Sequence, residues 1–163
     1  MQRHNTPRRK AALISLAAIL VTVIAACGGG DDPTTTVAAD PGSDSVVVDV
    51  SLTDTEDAMQ LTPSVASVAA GTITFSVTND GTREHEFVVL QFDPPGANLP
   101  FDEAADEVLE EGDGVTAIDE LPSIQVGETL ELTVDLDAGH YALICNFERH
   151  YRAGMWSDFD VTG

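Results

Sequence analysis

Cys145, His150 and Met155 follow one another as Cys-x4-His-x4-Met, and His85 stands upstream in a separate segment. A thiolate, two imidazoles and a thioether are the donors that hold copper in a trigonal two-His, one-Cys arrangement with a weak axial Met. Zinc prefers several Cys, His or carboxylate ligands, whereas a thioether suits copper. Taken one at a time these residues have ordinary roles: Met fills cores, free Cys behaves as a small hydrophobe, and a single His is satisfied wherever it lies. It is their combination that points to a metal. His140, at a turn before a strand, is read as an ordinary residue, and His4 belongs to the N-terminal segment described below.

Four side chains from distant positions meet only if rigid elements carry them. Val46, Val48, Val50 and Leu52 alternate with Val47, Asp49 and Ser51, while Ile73, Phe75 and Val77 alternate with Thr72, Thr74, Ser76 and Thr78. Leu130, Leu132, Val134 and Leu136 repeat the pattern, and Tyr141, Leu143 and Cys145 form a further inward set. Period-two alternation marks strands with one buried face. Turn signals at Ala70-Gly71, Asn79-Asp80-Gly81, Val126-Gly127 and Ala138-Gly139 separate them. Short strands at this spacing predict an all-β fold, an antiparallel Greek-key β-sandwich. Residues 101–113, rich in acids with Ala104, Ala105, Val108 and Leu109, predict a short helical insertion. On this map Cys145 ends a strand, His85 opens one after the Asn79-Gly81 turn, and Gly154 eases the approach of the Met155 backbone to the site.

Charge divides the chain. Of the 163 residues, 7 are Lys or Arg and 28 are Asp or Glu, a formal −21. Such acidity excludes a basic nucleic-acid binder. Arg3, Arg8, Arg9 and Lys10 crowd the start, and the apolar run of residues 11–26 follows them. This is the basic head and short hydrophobic stretch of an export signal, too short for a membrane span. Ile24-Ala25-Ala26-Cys27 resembles the lipobox of bacterial lipoproteins, which implies cleavage after residue 26 and lipid on Cys27. Multiple acyl chains give a stable anchor. Residues 27–45, the lipidated Cys and a Gly-, Thr-, Asp- and Pro-rich stretch, read as a flexible tether, and residues 46–163 as one domain. With Cys27 lipidated, Cys145 is the only thiol left, so no intramolecular disulfide forms and a protected metal ligand accounts for it.

Two motifs carry a family resemblance: Asn-x-Gly-x-x-x-His (Asn79, Gly81, His85) and Gly-x-Tyr-x3-Cys-x4-His-x4-Met (Gly139, Tyr141, Cys145, His150, Met155). Over residues 46–163 the chain resembles the cupredoxins, the type 1 blue copper proteins of which plastocyanin and azurin are members, and its ligand loop is similar to those of rusticyanin and auracyanin. The resemblance implies His85, Cys145 and His150 as equatorial copper ligands, Met155 as the axial one, and one-electron transfer rather than catalysis. It also implies redox partners such as a cytochrome or terminal oxidase, met outside the cytoplasm at the membrane surface. Storage, buffering or delivery of copper is the alternative, although delivery favours open, Met- or His-rich sites.

The sequence departs from the motifs of the enzymatic relatives: it has no His-x-His pair, no second Cys on the loop, and Ile144 directly before Cys145. Many cupredoxins carry Asn after the first histidine to tie the ligand loops together; here Glu86 stands there, with its backbone N–H still available to the thiolate. Phe147 is not proline, so its N–H is a second available donor. By the same resemblance Phe147, Tyr151 and Pro94-Pro95 are expected around an exposed edge of His150, where a partner docks.

Overall fold

A computed structural model describes residues 45–56 and 58–163. The expected export signal, Cys27 and the tether as far as residue 44 lie outside the described residues. The strands are β1 (Val46–Asp54), β2 (Met59–Pro63), β3 (Ser67–Ala69), β4 (Gly71–Asn79), β5 (His85–Gln91), β6 (Phe101–Asp102), β7 (Glu107–Val108), β8 (Thr116–Ile124), β9 (Thr129–Leu136), β10 (Gly139–Ile144) and β11 (Trp156–Thr162), with a 3-10 turn at Gly96–Asn98. One sheet runs β2-β1-β4-β9, the other β3-β11-β10-β5-β8, and β6-β7 form a small hairpin.

The alternating residues face inward as their pattern predicts. Val48, Val50, Leu52, Ile73, Phe75 and Val77 of one sheet meet Phe87, Val89, Leu143, Phe159 and Val161 of the other in a single buried cluster. Phe75 sits at its centre, 5.3 Å from Phe87 and 5.4 Å from Phe159 between ring centroids. The sandwich is mixed rather than wholly antiparallel: β1 pairs with β4, and β3 with β11, in parallel. The cause is a crossing. Because β3 leaves for the second sheet, the chain returns as β4 on the free side of β1, running in the same direction.

A second correction concerns residues 101–113, which do not form a helix. Asp102 Oδ1 accepts the Ala104 and Ala105 N–H groups at 2.8 and 3.3 Å, an Asx-type turn that competes with helix hydrogen bonds. Asp106 adopts a left-handed φ of 59°. The Asn146 side chain takes both backbone groups of Val108, accepting from its N–H at 2.6 Å and donating to its carbonyl at 3.0 Å. These are the groups an α-helix would need, so the segment folds as the β6-β7 hairpin and following turns.

This excursion covers the outer face of β5 and β10. Val88, Leu90, Ala142 and Ile144 point away from the main core and pack with Phe92, Leu99, Val108, Val115 and Tyr151 in a second buried cluster. The two strands are therefore buried on both faces, which is why their sequences read as nearly continuous apolar runs. β5 begins and β10 ends at the same pole of the sandwich, and the metal-ligand candidates lie there.

Candidate metal centre

His85 opens β5 after a loop held by Asn79. The fully buried Asn79 side chain donates to the carbonyls of Arg83 and Ile124 at 2.7 and 2.8 Å and accepts from the Gly81 N–H at 3.0 Å. The β5–β8 ladder shifts register between His85 and Phe87, an irregularity of the kind found beside functional sites. The second loop leaves β10 at Cys145 and returns at β11. Cys145 N–H donates to the Met155 carbonyl at 3.0 Å, Met155 N–H to the His150 carbonyl at 3.1 Å, and His150 N–H to the Phe147 carbonyl at 2.9 Å. Gly154 closes this loop with φ at +101°, and a Cβ there would lie 3.0 Å from the Met59 carbonyl oxygen, so both conformation and space require glycine.

The two loops bring His85, Cys145 and His150 together, their donor atoms all within 4.8 Å of one another. Cys145 Sγ lies 3.2 Å from His150 Nδ1 and 3.9 Å from His85 Nδ1, and the two Nδ1 atoms are 3.2 Å apart. Met155 is fully buried in the same core cluster as Cys145, its backbone bracketing the loop. Two backbone amides address the sulfur: Glu86 N–H at 3.4 Å and that of Phe147. Burial outweighs them and pushes the Cys145 thiol up to about 12, so without a cation to face, the sulfur keeps its proton. Burial likewise lowers the His150 pKa and keeps its ring a neutral ligand. One soft thiol and two imidazoles, buried and already converged, fit a single copper ion.

Glu86 is held half-buried, and burial raises its carboxyl to about 7 against the backbone N–H of Asn146, with Glu110, Glu120 and Glu107 adding repulsion. Its carboxyl therefore lies beside the Asn146 N–H, with the segment after His85 against the segment after Cys145. Asn146 adds a second tie, from the ligand loop to Val108 and, at 2.8 Å, to Glu110 Oε1. Arg149, at a left-handed φ of 74°, donates its N–H to the Asp106 carbonyl at 3.1 Å. The excursion thus clamps the loop that carries His150.

Tyr151 does not stand on the rim. It is 8% exposed, its hydroxyl donates to the Gly96 carbonyl at 2.6 Å, and its ring stacks on Phe101 at 5.8 Å. Phe147, partly buried, sets its ring edge-on to His150 at 5.7 Å. His140 stands apart from the cluster, between Asp160 at 2.7 Å and Asp158 at 3.2 Å. The Asp160 hydrogen bond raises its pKa, burial opposes, and Asp158 adds to the rise. Because the folded-state value lies above the unfolded one, the stabilisation is full below the ordinary His value of about 6.5 and is lost as pH climbs through the raised value. With side chains 23% to 62% exposed, His140→Gln is expected to cost no more than about 0.5 kcal/mol at pH 6 and progressively less as pH rises, in denaturant titrations across the pH range.

Sequence reasoning missed Asp54 and Asn146. Asp54 occupies the next inward position after Val48, Val50 and Leu52, and an acid continuing an apolar alternation was the available signal. Its side chain is inaccessible to solvent. Burial alone would raise its carboxyl, but hydrogen bonds from the Thr82 hydroxyl and N–H, His85 and the Arg83 N–H win and hold it well below the usual carboxylate range.

Comparison with known proteins agrees with this geometry. A family profile described as copper binding proteins, plastocyanin/azurin family, matches residues 48–162. A search of curated protein sequences finds no match. Among solved structures, the reduced auracyanin of the photosynthetic bacterium Roseiflexus castenholzii is similar with a TM-score of 0.53 and 19% identity, over 75% of this chain and 100% of that one. Reduced rusticyanin gives 0.51 and 16%, over 71% and 79%. A multicopper oxidase of Aquifex aeolicus gives a TM-score of 0.48 and 14% identity, over 74% of this chain and only 30% of the oxidase. With a profile matched across the whole sandwich and a Cys and two His converged at its pole, the chain belongs to the plastocyanin/azurin family of copper binding proteins.

Proposed function

We propose that this protein is a one-electron carrier, held outside the cytoplasm at the membrane surface by a lipidated Cys27, with His85, Cys145 and His150 as strong copper ligands and Met155 as the axial one. The observation that carries the reading is the buried, already converged cluster of His85, Cys145 and His150. Bound copper supplies a couple between Cu(I) and Cu(II). The chain's own residues keep one arrangement for both states: Asn79 fixes the His85 loop, Asn146 and Arg149 pin the His150 loop to the excursion, and the Glu86 and Phe147 amides face the sulfur. Rigid support of this kind limits rearrangement when the charge changes.

His150 is 9% exposed and Phe147 lies against it, so electrons would pass through this edge. All three arginines of the exported chain, Arg83, Arg149 and Arg152, fall within two residues of His85 or His150. Their side chains are 49%, 76% and 46% exposed. Each is paired with acids, Arg83 with Asp54, Arg149 with Asp106 and Glu148, and Arg152 with Glu103 and Asp106, so positive and negative charge are interspersed around this pole of a strongly acidic molecule, which would favour approach there.

Two experiments test the reading. Electron exchange between the copper-loaded protein and a cytochrome is expected to be rapid while an apo copper acceptor gains no metal; facile metal transfer without electron exchange would instead favour delivery. Cys27→Ala is expected to move the protein from the membrane to the soluble fraction on cell fractionation, and unchanged membrane association would refute the lipid anchor.

A further inference from the structure

We propose that Asp54 is a positioning residue for this centre: its carboxylate fixes His85 with a bare Nδ1 toward Cys145 and, as a fixed negative charge behind the ligand, favours Cu(II) over Cu(I). The inference rests on the copper-carrier reading above and adds to it a residue from the opposite sheet, at the end of β1.

The geometry is specific. Asp54 Oδ2 accepts the Thr82 N–H at 2.7 Å and the Arg83 N–H at 3.3 Å, and lies 3.1 Å from His85 Nε2. Asp54 Oδ1 accepts the Thr82 hydroxyl at 2.6 Å. An ionised carboxylate only accepts, so His85 must donate from Nε2, and a neutral imidazole that donates from Nε2 leaves Nδ1 as a lone pair. Nδ1 is the atom that faces Cys145 and His150. Holding a metal-binding histidine by its far nitrogen fixes both ring orientation and tautomer.

Gly81 supplies an independent observation. A methyl group on it would collide with Asp54 Oδ2 and lie 3.0 Å from His85 Nε2. The third position of Asn-x-Gly-x-x-x-His is therefore empty of side chain in the place where the carboxylate and the imidazole meet. Arg83 Nε stays 3.9 Å from Asp54 Oδ1 on a side chain 49% exposed, so it offsets the buried charge only in part. A negative charge on the far side of a ligand stabilises the more positive metal state, and burial strengthens the effect.

Asp54→Asn isolates the charge. The Asn carbonyl oxygen can keep the three N–H donors that meet Oδ2, while its amide donates to the Thr82 hydroxyl, which can accept as well as donate. In the copper-loaded full chain this variant is expected to keep its visible band while its preference for Cu(II) over Cu(I) falls about tenfold, a rise in potential of about 59 mV for a one-electron couple. Thr82→Val, which keeps the carboxylate, is expected to leave the potential unchanged. Nitrogen-15 NMR of the metal-free wild type is expected to show His85 protonated on Nε2, and Asp54→Ala to show mixed tautomers. An unchanged potential in copper-loaded Asp54→Asn, or wild-type His85 protonated on Nδ1, would overturn the proposal. The wild-type measurement needs neither variant nor copper: absence of a reversible copper couple would sink the carrier reading, while the tautomer would still decide the role of Asp54.

Discussion

Cys145→Ser is expected to abolish the intense thiolate-to-copper visible band and to weaken copper binding by ~100-fold or more, beyond the 10- to 100-fold typical of losing an outer-shell partner. The sulfur is the sole soft anionic donor in the cluster, and two backbone amides are arranged to face it. A serine hydroxyl can still accept those N–H bonds, so the sandwich is expected to remain folded, with stability lowered by only ~1–2 kcal/mol. The check is a copper titration followed by visible absorption beside a thermal melt of the same sample. Loss of colour with the fold intact separates the ligand's role from a structural one; a variant that stays blue would mean the copper sits elsewhere.

The second large effect is expected for Asn146→Ala. Asn146 is 8% exposed, and its side chain satisfies both backbone groups of buried Val108 and reaches Glu110. Leaving a buried donor and a buried acceptor without partners costs ~1–3 kcal/mol each, so a loss of at least ~2 kcal/mol is expected. For a domain of this size that corresponds to a fall in Tm of about 10 °C. Because the same side chain ties the ligand loop to the excursion, copper exchange is expected to quicken in the same variant. A melt within 2 °C of wild type would show that water or neighbouring groups replace the bonds.

The sandwich was legible because alternation directly records which side of a strand meets the core, as in Val48-Val50-Leu52 and Ile73-Phe75-Val77. The ligand cluster was legible because its spacing is fixed by two loops at strand ends. The excursion was misread because local composition favoured a helix, whereas the deciding interactions come from Asn146, far away in sequence. The parallel β1–β4 pair depends on which sheet β3 joins, and local periodicity does not record that. Asp54 carried a signal, an acid in an inward register, but its meaning needed His85 and the space above Gly81 to be seen together.

Glu86 illustrates the opposite case. Its identity departs from the residue expected after the first histidine, yet its backbone N–H meets the Cys145 sulfur at 3.4 Å and its half-buried carboxyl lies beside the Asn146 N–H. The contact to the thiol is made by the backbone and does not depend on the side chain, which a comparison of residue types alone would not reveal.

The most direct test of the central claim is voltammetry of the copper-loaded full chain, with copper content measured before and after repeated cycling in the presence of a Cu(I) chelator. One reversible one-electron wave is expected, with one copper ion per chain retained throughout. Release of copper on reduction, or a protein that takes zinc in preference and gives no wave, would contradict that claim.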